Sequence, residues 1–247
     1  LPPFYLNTAD KPLDTEFRPA TVFSNCSVDG YPDVAAPDFV YSGWPEAKFE
    51  DFDAKARSLA KASLSEPAFD RAFWMGRVFV PARESLAELC KGRASDVEIV
   101  DSSKNYNQSI HLYNGSFITM EDQVAKYRYM IDVEGLGYSG RLKLFLHAHR
   151  ALLMLDRPYK EYFYDEMEPF RHYIPVGRYG SDVLERIDWL RSNPRREAEI
   201  INEAQEFARR RLTRQKAIES WAKLLEEHIG AGGRLRFAGE SLPQPLT

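Results

Sequence analysis

The sequence predicts an α/β protein built on a parallel sheet of the Rossmann type. Two observations predict it. From Ala72 onward, short apolar runs rich in β-formers alternate with stripes of helical period, the order expected when each strand is returned by a crossover helix. At the centre, Tyr127 to His147 reads as a strand (Tyr129–Val133), a glycine-bearing turn (Leu136-Gly137-Tyr138-Ser139-Gly140) and a basic helix start from Arg141. Such a unit aims free backbone N–H groups and a positive helix end at an anion, and Arg141 adds a fork of donors suited to phosphate.

The chain of 247 residues, 44% hydrophobic and 28% charged, is long enough for a sizeable core. Its net charge of −4 gives no bulk attraction for nucleic acid. No run approaches the ~20 apolar residues that span a bilayer. Leu1-Pro2-Pro3 is not a signal peptide, and without an initiator methionine the chain is expected to begin inside a longer product. The two cysteines, Cys26 and Cys90, match no metal or disulfide pattern and favour a reducing, cytoplasmic compartment. The triplets beginning at Asn25, Asn107 and Asn114 have the form of glycosylation acceptors and point instead to the secretory lumen.

In order, Phe4–Leu6 reads as a strand, stopped by the turn-formers of Asn7-Thr8-Ala9-Asp10-Lys11-Pro12. Ala20–Ser24 is a second strand, and 25–47 is an irregular crossing. Phe49, Phe52, Ala56, Leu59 and Ala60 share one helical face. Ala72–Arg77 is a strand. Its helix carries Pro81 in the first turn, with Leu86, Leu89 and Cys90 inward. Asp96–Val100 is a strand, and Thr119 caps a helix over Met120–Ala125. Ala151–Leu155 and His172–Val176 are further strands. Helical stripes follow through Val183 to Leu190, Ile201 to Ala208 and Ala217 to Leu225. Gly230–Gly233 ends the last helix. The reading divides the chain into a partial acceptor-side unit (1–68), a ligand-binding unit with terminal helices (69–229) and a tail (230–247).

A sheet of this kind binds ligands outside the carboxyl ends of its strands. Two basic loops fall there: Gly76-Arg77 leading to Arg83, and Gly137 to Arg141. Two arginines at separate strand ends suggest a clamp for a diphosphate. Gly135, Gly137 and Gly140 also spell GxGxxG, with Asp156 after the next strand, so a nicotinamide or flavin site is a rival. Asp51-Phe52-Asp53 is a formal Asp-x-Asp metal motif. On a helix its carboxylates diverge by ~200°, and they read as a solvated face. The five histidines form no ligand pattern. The aromatic run from Tyr159 to Tyr164, with Phe170 and Tyr173, reads as core and cleft wall, with sugar stacking as its functional alternative.

Together these segments resemble glycosyltransferase family 90. The resemblance rests on Trp74-Met75-Gly76-Arg77 with Pro81 and Arg83, on Lys126-Tyr127-Arg128-Tyr129 leading to Gly135 and Ser139-Gly140-Arg141, and on Tyr162-Phe163-Tyr164-Asp165 through Pro169-Phe170-Arg171-His172-Tyr173-Ile174-Pro175-Val176. It implies a GT-B-like fold of two Rossmann-like domains facing a cleft, the N-terminal one short. It implies an inverting, metal-independent transferase, without cofactor, that moves glucose or xylose from a UDP-sugar to a hydroxyl of a glycan. By the same resemblance Arg83 and Arg141 contact the diphosphate, with Ser139, the Leu136-Gly137-Tyr138 backbone, Gly76 and Arg77 beside them. Asn7-Thr8-Ala9-Asp10-Lys11-Pro12 fits the family's Asn-x-x-Asp-x-Pro, making Asp10 the general base. Relatives often carry serine where Arg77 stands, and the cysteines that pair in animal luminal members have no counterpart here. The expectation is therefore a bacterial-type enzyme of lipopolysaccharide biosynthesis or of another cell-surface glycan, with peripheral membrane association through a glycolipid acceptor. A catalytically inactive member that binds or scaffolds is the alternative.

Overall fold

The computed structural model describes residues 4–12, 21–102, 112–113 and 116–229. Asn107, Asn114, Gly230–Gly233 and the tail read from the sequence lie outside them, in whole or in part. Two parallel sheets organise the chain. The small one has β1 (Phe4–Asn7), β2 (Thr21–Ser24) and β3 (Val34–Ala35) side by side, all parallel. The large one contains β4 (Phe69–Gly76), β5 (Val97–Asp101), β8 (Tyr127–Asp132), β9 (Ala151–Leu155) and β10 (Ile174–Val176), in the order β10-β9-β8-β4-β5. Every pairing within it is parallel. Between β5 and β8 in sequence, β6 (Leu112–Tyr113) and β7 (Ser116–Phe117) form a separate antiparallel pair.

Alternation along the large sheet sorts its side chains into two layers, because successive strand residues face opposite ways. Phe73, Met75, Met130, Leu152 and Met154 face one core, shared with Phe52 and Leu59 of α1 (Phe52–Ala62), Val124 of α3 (Met120–Lys126) and Phe207 of α6 (Pro194–Arg211). Ala72, Trp74, Tyr129, Ile131, Leu153 and Leu155 face the other. They meet Ala82 and Leu86 of α2 (Pro81–Leu89) and Ile187 and Leu190 of α5 (Val183–Ser192). Burial on both faces explains why β9 reads as an uninterrupted apolar run.

Local signals set the helix starts. Asp51 caps α1 by accepting from the Ala54 N–H at 2.9 Å, and Thr119 with Asp122 forms a complete capping box on α3. Pro81 occupies the first turn of α2, where its missing N–H costs nothing. The last helix, α7 (Arg214–Ile229), returns to the small sheet. There the Trp221 indole N–H donates to the Pro37 carbonyl at 2.9 Å, and its ring meets Phe23 edge-on at 5.4 Å.

Three expectations need correction. Leu89 is 44% exposed rather than inward, because α2 ends at that residue and Leu86 and Cys90 take the buried positions. Phe49 lies ahead of α1, not on it. The helix expected from Arg141 is the single turn α4 (Leu142–Phe145). A four-residue helix has little macrodipole, so the positive helix end read from the sequence is not there.

Candidate functional site

The chain leaves β4 in one direction through α2 into β5, then crosses back to lay β8 on β4's other side and continues to β9 and β10. The order therefore reverses between β4 and β8, and the crevice beyond their carboxyl ends is where such sheets bind ligands. Gly76 closes β4 there and Asp132 closes β8.

Trp74 is the floor of the crevice. It is fully buried, and its ring folds back beneath Gly76, where an added Cβ would come within 2.7 Å of the indole. The guanidinium carbons of Arg83 and Arg141 lie 5.2 and 6.0 Å from that ring, a cation–π arrangement that draws both to one spot. Arg83 donates through Nε to the Glu134 carbonyl at 2.8 Å and through Nη1 to the Arg77 carbonyl at 3.0 Å. Arg141 donates to the Met75 carbonyl at 2.6 Å. Burial, and then the charge of Arg141, push the Arg83 pKa down to about 10, which still leaves it protonated at neutral pH. Burial also lowers Arg141, opposed by Asp132. At the mouth, Phe79 is stacked by Arg77 at 4.9 Å and Arg83 at 5.6 Å.

Asp132 anchors the cluster. Its Oδ1 accepts from the Ser139 hydroxyl at 2.6 Å, and its Oδ2 pairs with Arg157 Nη2 at 2.6 Å. Ser139 is thus held by a buried carboxylate. Arg157, Asp132 and Glu134 were not singled out in the sequence. The one signal was two acidic residues ending an apolar strand, since Arg157 reaches Asp132 from after β9, 25 residues away.

From the opposite side, the Asn7–Pro12 loop extends from the carboxyl end of β1. Asn7 organises it: Oδ1 accepts from the Ala9 N–H at 3.0 Å, and Nδ2 donates to the Lys11 carbonyl at 2.8 Å and the Ser24 hydroxyl at 3.1 Å. Asn25 and the Cys26 thiol add bonds to the carbonyls of Ala9 and Asp10. Asn25 is itself buried in that contact, so it is no glycosylation acceptor as it stands. Burial pushes the Cys26 thiol up to about 12, and both cysteines are free. The Asp10 side chain is exposed, while its carbonyl oxygen presses against Gly137, where any Cβ would collide with it.

That contact changes the role of the glycine triplet. Gly137 admits the chain's own Asp10, and Gly140 is fitted against Trp44, where a Cβ would stand 3.1 Å from the ring. With only one helical turn behind them and Asp156 exposed to solvent, these glycines do not build the dinucleotide-binding unit. Leu136 is exposed at the tip of the turn, and Tyr138 is buried.

Beneath the turn lies a second ionic group. Lys143, wholly buried, sits 3.0 Å from Asp38 Oδ2 and 2.6 Å from Glu161 Oε2. Burial drives Glu161 up to about 8 despite Lys143, with the Asp38 charge adding to the rise. The Tyr138 ring lies 5.2 Å from the Lys143 ammonium. Asp51 and Asp53 serve the fold, the first as a cap and the second as acceptor for the Arg214 N–H at 3.1 Å. Among the described residues no group of His, Cys, Asp or Glu could hold a metal ion, and no helix is long and apolar enough to cross a membrane. A surface groove of about 450 Å³ between Pro169–Arg171 and α6 is lined by none of the residues gathered at these strand ends, and its Arg171 and Arg196 are paired with Glu203 and Glu199.

A parallel α/β sheet with arginines at its switch point, faced by a loop from a second sheet, is the arrangement in which doubly wound folds receive their ligands. The chain belongs to glycosyl transferase family 90, whose profile matches residues 4–230. It is 26% identical over 236 residues to protein O-glucosyltransferase 2 of Danio rerio, covering 91% of this chain and 46% of that protein. Protein O-glucosyltransferase 3 of Homo sapiens is 30% identical over 123 residues, 49% of this chain and 24% of the relative. O-glucosyltransferase rumi of Drosophila melanogaster is 25% identical over 247 residues, 91% of this chain and 59% of the relative. The matches cover between 24% and 59% of these relatives' own lengths. Among solved structures, TarM aligns with a TM-score of 0.47 at 14% identity, over 65% of this chain and 36% of its own.

Proposed function

We propose that the protein is a glycosyltransferase that takes a UDP-sugar at the β4/β8 crevice and passes the sugar to an acceptor hydroxyl, with inversion and without a metal. The observation that carries this reading is the gathering of Arg83 and Arg141 over one indole, with the Asp10 loop resting on the turn between them and the second sheet. In one displacement, the Asp10 carboxylate takes the proton of the acceptor hydroxyl as its oxygen attacks the anomeric carbon. The bond from that carbon to the β-phosphate oxygen breaks, and UDP departs with the electron pair. Arg83 and Arg141, fixed before the reaction, stabilise the charge on the leaving diphosphate.

The relatives' names favour a protein hydroxyl as acceptor over the lipopolysaccharide read from the sequence. With a protein acceptor, the secretory lumen is the better compartment. The test is UDP release from UDP-glucose and UDP-xylose, each offered with a folded protein domain and with a lipopolysaccharide core, for the wild type and Asp10→Asn. Turnover that depends on Asp10 with either acceptor supports the reading, and turnover indifferent to it removes the base from the mechanism.

A further inference from the structure

We propose that Glu134 is the residue that reads a vicinal diol of the sugar nucleotide, accepting hydroxyl hydrogens beside the diphosphate. The inference rests on the glycosyltransferase reading above. Glu134 stands two residues beyond the end of β8, at the switch point itself. Its main chain is tied to the crevice, because its carbonyl accepts from Arg83 Nε. Its side chain is buried, only 8% of the residue being exposed, and its Oε2 has no hydrogen-bond partner among the described residues. Burial raises its pKa, and the nearby charges of Arg157, Arg178 and Arg83 counter that rise.

A buried carboxylate oxygen without a donor is costly, and at the strand-end crevice a ligand hydroxyl would supply the missing donor. A carboxylate is acceptor-only when ionised. It therefore cannot serve the phosphates, which offer no donors and would be repelled. Hydroxyl groups fit it, and two on adjacent carbons match its two oxygens. A UDP-sugar carries such pairs in two places, the ribose and the transferred sugar, and both adjoin the diphosphate. The surrounding guanidinium charges oppose protonation of the carboxylate, against the effect of its burial.

Calorimetric titration of the wild type, Glu134→Gln and Glu134→Ala with UDP, 2′-deoxy-UDP and UDP-glucose tests this. Glu134→Ala is expected to weaken UDP-glucose binding about 10- to 100-fold, the range for a lost hydrogen bond to a charged group. Glu134→Gln, which keeps one acceptor oxygen, should lose less. If the ribose is read, UDP loses as much as UDP-glucose, and 2′-deoxy-UDP, with only its 3′-hydroxyl left to donate, binds the wild type more weakly than UDP and is moved less by the variants. If the transferred sugar is read, UDP binds the variants as well or better, because a negative charge beside its phosphates is gone. Equal affinity of all three proteins for UDP-glucose overturns the proposal while leaving the enzyme reading intact. A wild type that binds none of the three overturns both. Thermal melts without ligand supply the control: a group kept for binding, not stability, should leave both variants melting at or above the wild type. A lower melting temperature in both variants assigns the carboxylate to ion pairing with its arginines, and overturns the proposal whatever the affinities.

Discussion

Asp10 and Gly137 stand back to back: the carbonyl oxygen of the first occupies the space that a side chain on the second would need. The candidate base and the candidate diphosphate turn are therefore positioned by one backbone contact, 127 residues apart in sequence. Replacing Gly137 by alanine cannot be absorbed by a rotamer change, because the obstruction is main chain on both sides. Gly137→Ala is expected to lower stability by ~1–3 kcal/mol, as overpacking does, and to displace the Asp10 loop. A chemical denaturation curve gives the first effect, and loss of turnover beyond the loss of folded protein gives the second.

Asp10 itself offers the opposite profile. Its side chain is exposed, and the bonds that shape its loop are made by Asn7, Asn25 and Cys26. Asp10→Asn should therefore leave the melting temperature and UDP affinity unchanged while turnover falls ~100- to 10,000-fold. Asn7→Ala should cost both stability and turnover, since it releases the loop.

The two arginines should separate in the same way. Arg83→Ala is expected to reduce turnover ~100- to 1000-fold at a smaller cost in stability, because the Glu134 and Arg77 carbonyls it serves are only partly buried and water can replace it. Arg141→Ala should do as much to turnover and also destabilise by ~1–3 kcal/mol, because the buried Met75 carbonyl loses its donor. Lysine at either position should not rescue, since a point charge does not reproduce the fork. Single-turnover rates alongside melts distinguish the pair.

Lys143 is the counter-charge of the buried Asp38 carboxylate and is bonded to Glu161 beside it, so Lys143→Met should destabilise by ~3–5 kcal/mol by leaving Asp38 without its partner. The pH dependence has a definite sign. Glu161 goes from 4.5 to about 8 on folding, so between those values the folded state binds more protons than the unfolded one. Its contribution to stability is full below about 4.5 and is lost as pH rises toward 8. The difference in unfolding free energy between wild type and Glu161→Gln, measured from pH 5 to 8, should fall across that window. A flat difference would refute the assignment.

Much of the frame was readable because its causes are local. Thr119 reads as a cap and the structure completes it as a capping box with Asp122, Pro81 announces a first turn, and Ala151–Leu155 reads as a buried strand. The arginines at the ends of β4 and β8 followed from the switch-point rule. What was hidden depends on distance along the chain. Asp38 and Lys143 are 105 residues apart, and no periodicity connects them. Arg157 sits in no motif, while its exposed neighbour Asp156 stands where the glycine pattern asks for an acid. The basic turn looked like a helix start because Arg141 to Leu146 has helical composition. The chain leaves the helix after one turn, with His147 Nε2 set against the Leu212 carbonyl at 2.9 Å. In the sequence the glycines of the turn look like room for a ligand; two of them make room for Asp10 and Trp44.

The return of α7 to the small sheet has a practical corollary. Phe23 belongs to the second strand of the chain, yet its ring is closed over by Trp221 and His228 from the last helix. No single cut yields the small sheet together with everything that shields it from water. Dissection into halves would bare that aromatic surface, and a fragment carrying either half is better recovered by co-expression with the other than by purification alone.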